Sequence, residues 1–402
     1  MLSSQTQEWF IEEIPSGELD REPSEASCGG SPVGAENRPL DTQQSKGETT
    51  EGNTSRESDH TTGQGPAAGT WICKTIGSSF STQSPPSRGG CSWTQVGSRY
   101  LLFGGAHASQ QHFNDIHCFD AARGKWEKVD VSGTPPSPRS GHSAVACGES
   151  LVVYGGMNGQ DGVTFNDLFE LRPGPAECME WTALSCADLP PRNSHAAVVE
   201  AETMIVVGGA SPEGQTDEVF TIDLSNRCDL TCRKVSCNSF KQGTGNSRAV
   251  DLGAGVPVAR EMHSACAYLS KEMEGADTAT ILVMGGRSAT GVLRDLFSLN
   301  TASWTWERLQ DAPVARCAHS ACFVKTAGIM AIFGGWDGGT TVAGDLHIFG
   351  IRCGEWTTPD LSPRPVGRFA HASLVSEETN SLLVFGGVNP EEEVDDVLVL
   401  TA

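Results

Sequence analysis

The chain has 402 residues, with 28 Lys and Arg against 50 Asp and Glu, a formal net charge of −22. A chain this acidic is no general nucleic-acid binder, because phosphate contacts need clustered cations, and it is not drawn to anionic membranes. No run of about 18 apolar residues is present to insert into a bilayer, and 46 glycines with only 19% charged residues suit a turn-rich β protein.

Residues 1–69 come first. Four basic residues (Arg21, Arg38, Lys46, Arg56) face thirteen acidic ones, and aliphatic periodicity is nearly absent. Such a stretch cannot bury enough apolar surface to offset its ordering entropy, so an acidic, disordered tail is expected. It has neither the basic–apolar signature of a secretory leader nor that of a transit peptide. Within it, Trp9-Phe10-Ile11 and Ile14 in an acidic frame read either as a short docking motif or as an incidental apolar patch. The fourteen cysteines are scattered through apolar runs and read as free thiols in a reducing compartment, the cytoplasm first and the nucleus second. Cys228, Cys232 and Cys237 lack a CxxC pair and a nearby His, so no metal site is expected there.

Gly69–Ile76 follows, a Trp-containing strand with no repeat of its own. From there six apolar runs each end in a Gly pair: Gly104-Gly105, Gly155-Gly156, Gly208-Gly209, Gly285-Gly286, Gly334-Gly335 and Gly386-Gly387. The first glycines stand 51, 53, 77, 49 and 52 residues apart. Each run is a strand buried on both faces and stopped by glycines that permit positive φ. Upstream of each pair stands an arginine: Arg88, Arg139, Arg192, Arg260, Arg316 and Arg368. The last five have a His three residues on (His142, His195, His263, His319, His371), while the first has Cys91. Downstream come an acidic position, a further strand and, in four repeats, Trp126, Trp181, Trp306 or Trp356. Four short strands per unit at a period near 50 describe a propeller blade.

These six copies, in phase with Arg/His, Asp and Trp, resemble the kelch-repeat β-propeller family over residues 70–402. The resemblance implies an all-β, six-bladed propeller behind the acidic tail, with blades starting near 88, 139, 192, 260, 316 and 368. The chain stops before a Trp strand of blade six, so residues 70–76 are expected to complete that blade beside Val394–Leu400 and close the ring. The third repeat lacks its Trp. Cys232 or Arg233 falls near the place, and an irregular outer strand is expected. The long interval holds a hairpin insertion at 271–275 and a linking loop at 225–258. That loop carries Arg227, Arg233, Lys234, Lys241 and Arg248, and it is either a tolerated insertion or a basic surface for an acidic partner.

The chemistry expected is recognition. Histidines repeated in five of the six blades belong to architecture rather than to catalysis. No GxSxG, HExxH, P-loop or dinucleotide motif occurs, and no cofactor or metal is expected. The resemblance implies arginines that face a pocket and bind acidic peptide groups. Arg88, Arg139, Arg192, Arg260, Arg316 and Arg368 are therefore candidate partner-binding residues. The alternative pairs each with an acidic residue of its own blade: Asp115, Asp167, Asp217, Asp295, Asp345, and Asp395 or Asp396. Trp336, in a Gly-rich loop, is the candidate aromatic anchor, and Asn389–Glu393 would make the opposite side of the rim acidic. The expected function is a monomeric scaffold or adaptor that binds a protein partner, with an acidic motif, on the loop face. The family's ubiquitin-ligase receptors carry a BTB or F-box domain, and none is expected here. The competing class is an enzyme using the channel mouth for a small ligand, oxidase-like or specifier-like by analogy of fold alone.

Overall fold

The computed structural model describes residues 69–77, 84–175, 178–240, 255–271 and 277–402. The tail with its Trp9–Ile14 patch, most of the hairpin insertion and the centre of the 225–258 loop lie outside the described residues. Among those described there is no α-helix, and no helix is long and apolar enough to cross a membrane.

The strands form six antiparallel blades, as the repeat predicts. Blade 1 runs Ser92–Val96, Arg99–Phe103, Ile116–Asp120 and Lys125–Lys128. Its register puts Tyr100 against Phe119 and Phe119 against Trp126. The second strand of each blade is the buried one: Leu101–Phe103 and its counterparts Leu151–Tyr154, Met204–Val207, Ile281–Met284, Met330–Phe333 and Leu382–Phe385 are all sealed from solvent. A strand covered on both faces needs a continuous apolar run rather than alternation. The apolar side chains of neighbouring blades interdigitate, so the core lies between blades. The innermost strands neighbour one another in a closed circuit, with Ser92–Val96 touching both Ser143–Cys147 and Ala372–Ser376.

The ring closes with the N-terminal strand. Thr70–Ile76 lies antiparallel to Val397–Thr401, from Ile72 opposite Thr401 to Ile76 opposite Val397. Trp71 and Cys73 are buried in the core between blades 5 and 6. The pairing starts at Val397 rather than Val394, because residues 388–394 belong to the loop after the Gly pair. Blade 3 also differs from the expectation. Its outer strand Thr231–Val235 pairs regularly at all five positions with Val219–Asp223, and Cys232 takes the place that Trp126 and Trp181 hold in blades 1 and 2.

One feature exceeds four strands per blade. The linkers into blades 2, 4 and 6 each add a short parallel strand to the outer edge of the blade they enter. Val131–Gly133 lies along Met179–Trp181, Asn238–Ser239 along Thr305–Trp306, and Asp360–Ser362 along Thr70–Ile72. Each covers an outer edge that would otherwise present unpaired N–H and C=O groups.

The Gly pairs join blade to blade. The second glycine of each pair donates its N–H to the carbonyl of the next blade's arginine: Gly105 to Arg139, Gly156 to Arg192, Gly209 to Arg260, Gly286 to Arg316, Gly335 to Arg368 and Gly387 to Arg88, all at 2.8–2.9 Å. Neither glycine can be replaced freely. Gly155 has φ +62, and a Cβ there would lie 2.4 Å from the Arg192 carbonyl oxygen. Gly156 has φ +93, and its Cβ would meet the Cβ of His142 at 2.8 Å.

A second circuit runs around the channel. Gly90 donates to Ala370, Ala370 to Ala318, Ala318 to Met262, Met262 to Ser194, Ser194 to Gly141, and Gly141 back to Gly90, at 2.7–2.9 Å. All six are the residue two past the repeat arginine, and all six have positive φ between 52° and 64°. Four of them are not glycine, and each left-handed residue costs about 1–2 kcal/mol. The closed circuit offsets that strain by pairing every N–H with a neighbour's carbonyl.

Candidate interaction site at the channel mouth

The six repeat arginines are buried, between 0 and 4% exposed, and each turns to a carboxylate of its own blade. Arg88 grips Asp115 through two hydrogen bonds of 2.6 and 3.1 Å. Arg139 grips Asp167 at 2.5 and 2.9 Å, and Arg260 grips Asp295 at 2.5 and 2.8 Å. Arg368 holds Asp396 at 2.7 and 3.3 Å, and Arg316 holds Asp345 with both terminal nitrogens. Arg192 makes a single 2.7 Å bond to Glu218, whose other oxygen accepts from Lys234. In five blades the Nη1 group also donates to the carbonyl of the first glycine of the pair, for example Arg139 to Gly155 at 2.8 Å.

The arginines therefore stand as inward ion pairs tying the first strand to the third, and the open cationic rim is replaced by the alternative pairing. The partner is Glu218 rather than Asp217 in blade 3, and Asp396 rather than Asp395 in blade 6. Burial pushes the Asp115 carboxyl up, but hydrogen bonds from His117 and Arg88 outweigh it and hold the group well below the usual carboxylate range. Asp345 is held down in the same way by His347 and Arg316.

The repeated histidines are equally committed. The Nε2 atom of each reaches back to the preceding blade: His142 to Ser92, His195 to Ser143, His319 to Ser264 and His371 to Ser320, at 2.7–2.9 Å. Blade 3 has Ala196 in the serine position, and His263 turns to the Val207 carbonyl at 3.1 Å instead. All five Nδ1 atoms are buried without a hydrogen-bond partner. Burial, then the adjacent repeat arginine, pushes His142, His263, His319 and His371 down to about 3 and His195 well below its ordinary range. They are neutral, structural imidazoles.

What varies at the mouth is the residue after each arginine and the residue after each Gly pair. These face each other across one backbone bridge per blade: Gly89 with Ala106, Ser140 with Met157, Asn193 with Ala210, Glu261 with Arg287, Cys317 with Trp336, and Phe369 with Val388. The variable loops leave the blades at this same end. Trp336 is half-buried here, its Nε1 donating to Gly339 O at 2.8 Å. Its ring lies 6.2 Å from that of Phe369 on blade 6, at 34°. On blade 4, nearly sealed Glu261 accepts from Arg287 at 2.7 Å and from Gln215 at 2.9 Å. Burial raises the Cys317 thiol to about 12 despite nearby Arg287.

Phe369, Val388 and the Glu261–Arg287 pair escaped the sequence reading, which followed repeated positions. Their signal lies in the non-repeating residue inside each Arg-x-x-His motif. Asn389–Glu393 follows the Gly pair of blade 6, and its three glutamates lie beside Gly89, Ala106 and Ala108 of blade 1. In the 225–258 loop, Arg227 donates to buried Glu170 of blade 2 at 3.0 Å and Lys234 to Glu218 at 2.6 Å, so both are engaged within the protein. Among the described residues no group of His, Cys, Asp and Glu is arranged to hold a metal ion.

Comparison with known proteins places this architecture. The Attractin/LZTR1 beta-propeller family model matches residues 100–398. The leucine-zipper-like transcriptional regulator 1 homolog of Drosophila melanogaster is 27% identical over 309 residues, covering 71% of this chain and 28% of that protein. Human kelch domain-containing protein 3 is 26% identical over 258 residues, 62% of each chain. Human host cell factor 1 is 26% identical over 334 residues, 75% of this chain and 15% of that protein. The chain thus spans little more than a quarter of the fly relative's length. With six kelch-type blades, a Gly-pair latch at every junction and a family match over most of its length, the chain belongs to the Attractin/LZTR1 β-propeller family.

Proposed function

We propose that the protein is an interaction scaffold or adaptor that holds a protein partner on its loop face, at the channel mouth. One observation carries this reading. The repeat arginines, carboxylates, Gly pairs and histidines are consumed by the architecture, while the bridge residues at the mouth differ in every blade, from Gly89/Ala106 to Cys317/Trp336. A rigid frame that displays non-repeating side chains at one end is how a scaffold presents a recognition surface. Relatives named as a transcriptional regulator homolog and a host cell factor support a protein partner. An acidic motif in that partner drew its support from free arginines, and with all six guanidiniums paired that support is withdrawn. The thirteen free thiols described favour a reducing compartment, the cytoplasm first.

Affinity capture with mass spectrometry tests the reading, using the full chain, the Trp336→Ala/Phe369→Ala variant and a chain lacking residues 1–60, with folding checked by thermal melting. Specific partners should be lost by the folded mouth variant. Partners that survive it and vanish with the tail would refute the loop face as the recognition surface.

A further inference from the structure

The architecture leaves two adjoining features of the mouth unused. The first is the aromatic shelf of Trp336 and Phe369, both half-buried. Phe369 is tied to Val388 by backbone hydrogen bonds of 3.1 and 2.8 Å. Val388 begins the second feature, a cleft between blades 6 and 1 with an apolar floor of Gly89, Ala106 and Val388 and a wall of Glu391, Glu392 and Glu393. The floor is tight, since a Cβ on Gly89 would come within 2.8 Å of Val388 Cγ2.

Charge selects the occupant. The loops after the Gly pairs expose Asp161, Glu213, Asp217, Asp337 and the three glutamates. Of their two arginines, Arg287 is bound to Glu261 at 2.7 Å, and Arg294, 60% exposed and 3.7 Å from Asp311, is one cation against these seven carboxylates. Arg88 borders the cleft but is spent on Asp115, and His107 lies 3.6 Å from Glu393. The charge offered to a visitor is negative, and the surface beside it is aromatic and aliphatic. That combination matches a side chain with an apolar stem and a cationic head. The planar guanidinium suits it best, since it stacks on rings and forks to carboxylates.

We propose that the strip running from Trp336 through Phe369 and Val388 to Glu391–Glu393 is a docking groove for a basic segment of a protein partner. One arginine or lysine of that segment lays its stem on Val388 and Ala106 and places its head among the three glutamates. This rests on the loop face being the recognition face and specifies the chemistry it recognises.

The test uses the full-length protein and short oriented peptide libraries in a Gly/Ser/Ala background, with Arg, Lys, Leu or Glu fixed at the centre. Arg- and Lys-centred libraries should be retained about tenfold more than the other two, and their retention should fall with added salt. The Glu391→Gln/Glu392→Gln/Glu393→Gln variant, confined to an exposed loop, should lose that preference, and Phe369→Ser should weaken it separately. Preference for the Glu-centred library, equal retention of Leu and Arg unaffected by the Gln variant, or retention of no library would each overturn the proposal. The capture experiment separates this claim from the one beneath it. Partners lost with Trp336→Ala/Phe369→Ala but kept by the triple Gln variant overturn the basic segment and leave the loop face standing. Partners kept by every mouth variant overturn both.

Discussion

Acidification should loosen this propeller well above the pH at which carboxylates protonate. The five repeat histidines are buried with Nδ1 unpartnered, and four of them are pushed down to about 3. In the unfolded chain each titrates near its ordinary value of about 6.5. The unfolded state therefore binds more protons than the folded one between those values. Stability is complete above about pH 7.5 and falls as the pH drops through about 6.5. From about pH 7.5 to about pH 6, each histidine costs ~0.8 kcal/mol, and five cost ~4 kcal/mol. With an unfolding entropy of ~2.1 cal/mol/K per residue over roughly 330 residues, the melting temperature should drop by ~6 °C. Asp115 and Asp345, held below the usual carboxylate range, contribute nothing to this window, because a depressed carboxylate loses its stabilisation only in more acidic solution. Scanning calorimetry at about pH 6 in buffers of different ionisation enthalpy would read the proton uptake directly, and ~4 protons should bind on unfolding. His319→Gln should remove about one-fifth of that uptake. A melting temperature that moves by less than ~2 °C, with uptake of under ~1 proton, would refute the assignment of these imidazoles as neutral and sealed.

Other substitutions test the latches. Arg260→Met should cost about 3–5 kcal/mol in urea titrations, because Asp295 is left unpaired with its side chain only 13% exposed. Arg192→Met should cost less, since Glu218 is one-third exposed and keeps Lys234. Gly156→Ala should destabilise by about 3 kcal/mol or more, combining positive φ with a blocked Cβ, whereas Gly148→Ala, which meets only open space, should cost about 1 kcal/mol. Ala318→Gly, at φ +52 in the channel circuit, should be neutral or stabilising by up to about 1 kcal/mol in thermal melts. A chain starting at residue 78 exposes the edge of Val397–Thr401 and should self-associate in size-exclusion chromatography, with dispersal on adding a Thr70–Ile76 peptide.

The fold was legible because its determinants repeat. Gly pairs, a both-faces-buried strand before them and a stray Trp strand at residue 71 specify six blades and their closure. The parallel edge strands were not, because Val131–Gly133 is exposed at all three positions and shows no alternation. The fate of the arginines was half legible. A carboxylate recurring in phase with each arginine is the mark of internal pairing, yet only side-chain trajectories distinguish that from a shared channel face. The choice of Glu218 over Asp217 and of Asp396 over Asp395 depends on strand register at the edge of the third strand. Phe369 and Val388 were hidden for the opposite reason. They hold the non-repeating places in a pattern recognised by its repetition, and those are the places where a scaffold can carry individual function.

The channel circuit of Gly90, Gly141, Ser194, Met262, Ala318 and Ala370 has an electrostatic consequence. In a helix, aligned peptide dipoles add along an axis and leave partial charges at two ends. Here six hydrogen bonds follow one another head to tail around a loop, so their components along the loop cancel and no donor or acceptor is left at an end. Each bond is polarised by a neighbour on both sides. The circuit can thus stiffen the mouth without adding a field along its own direction. The potential felt by an approaching partner is then written by the side chains around it, and changing those side chains re-addresses the face without disturbing the ring beneath.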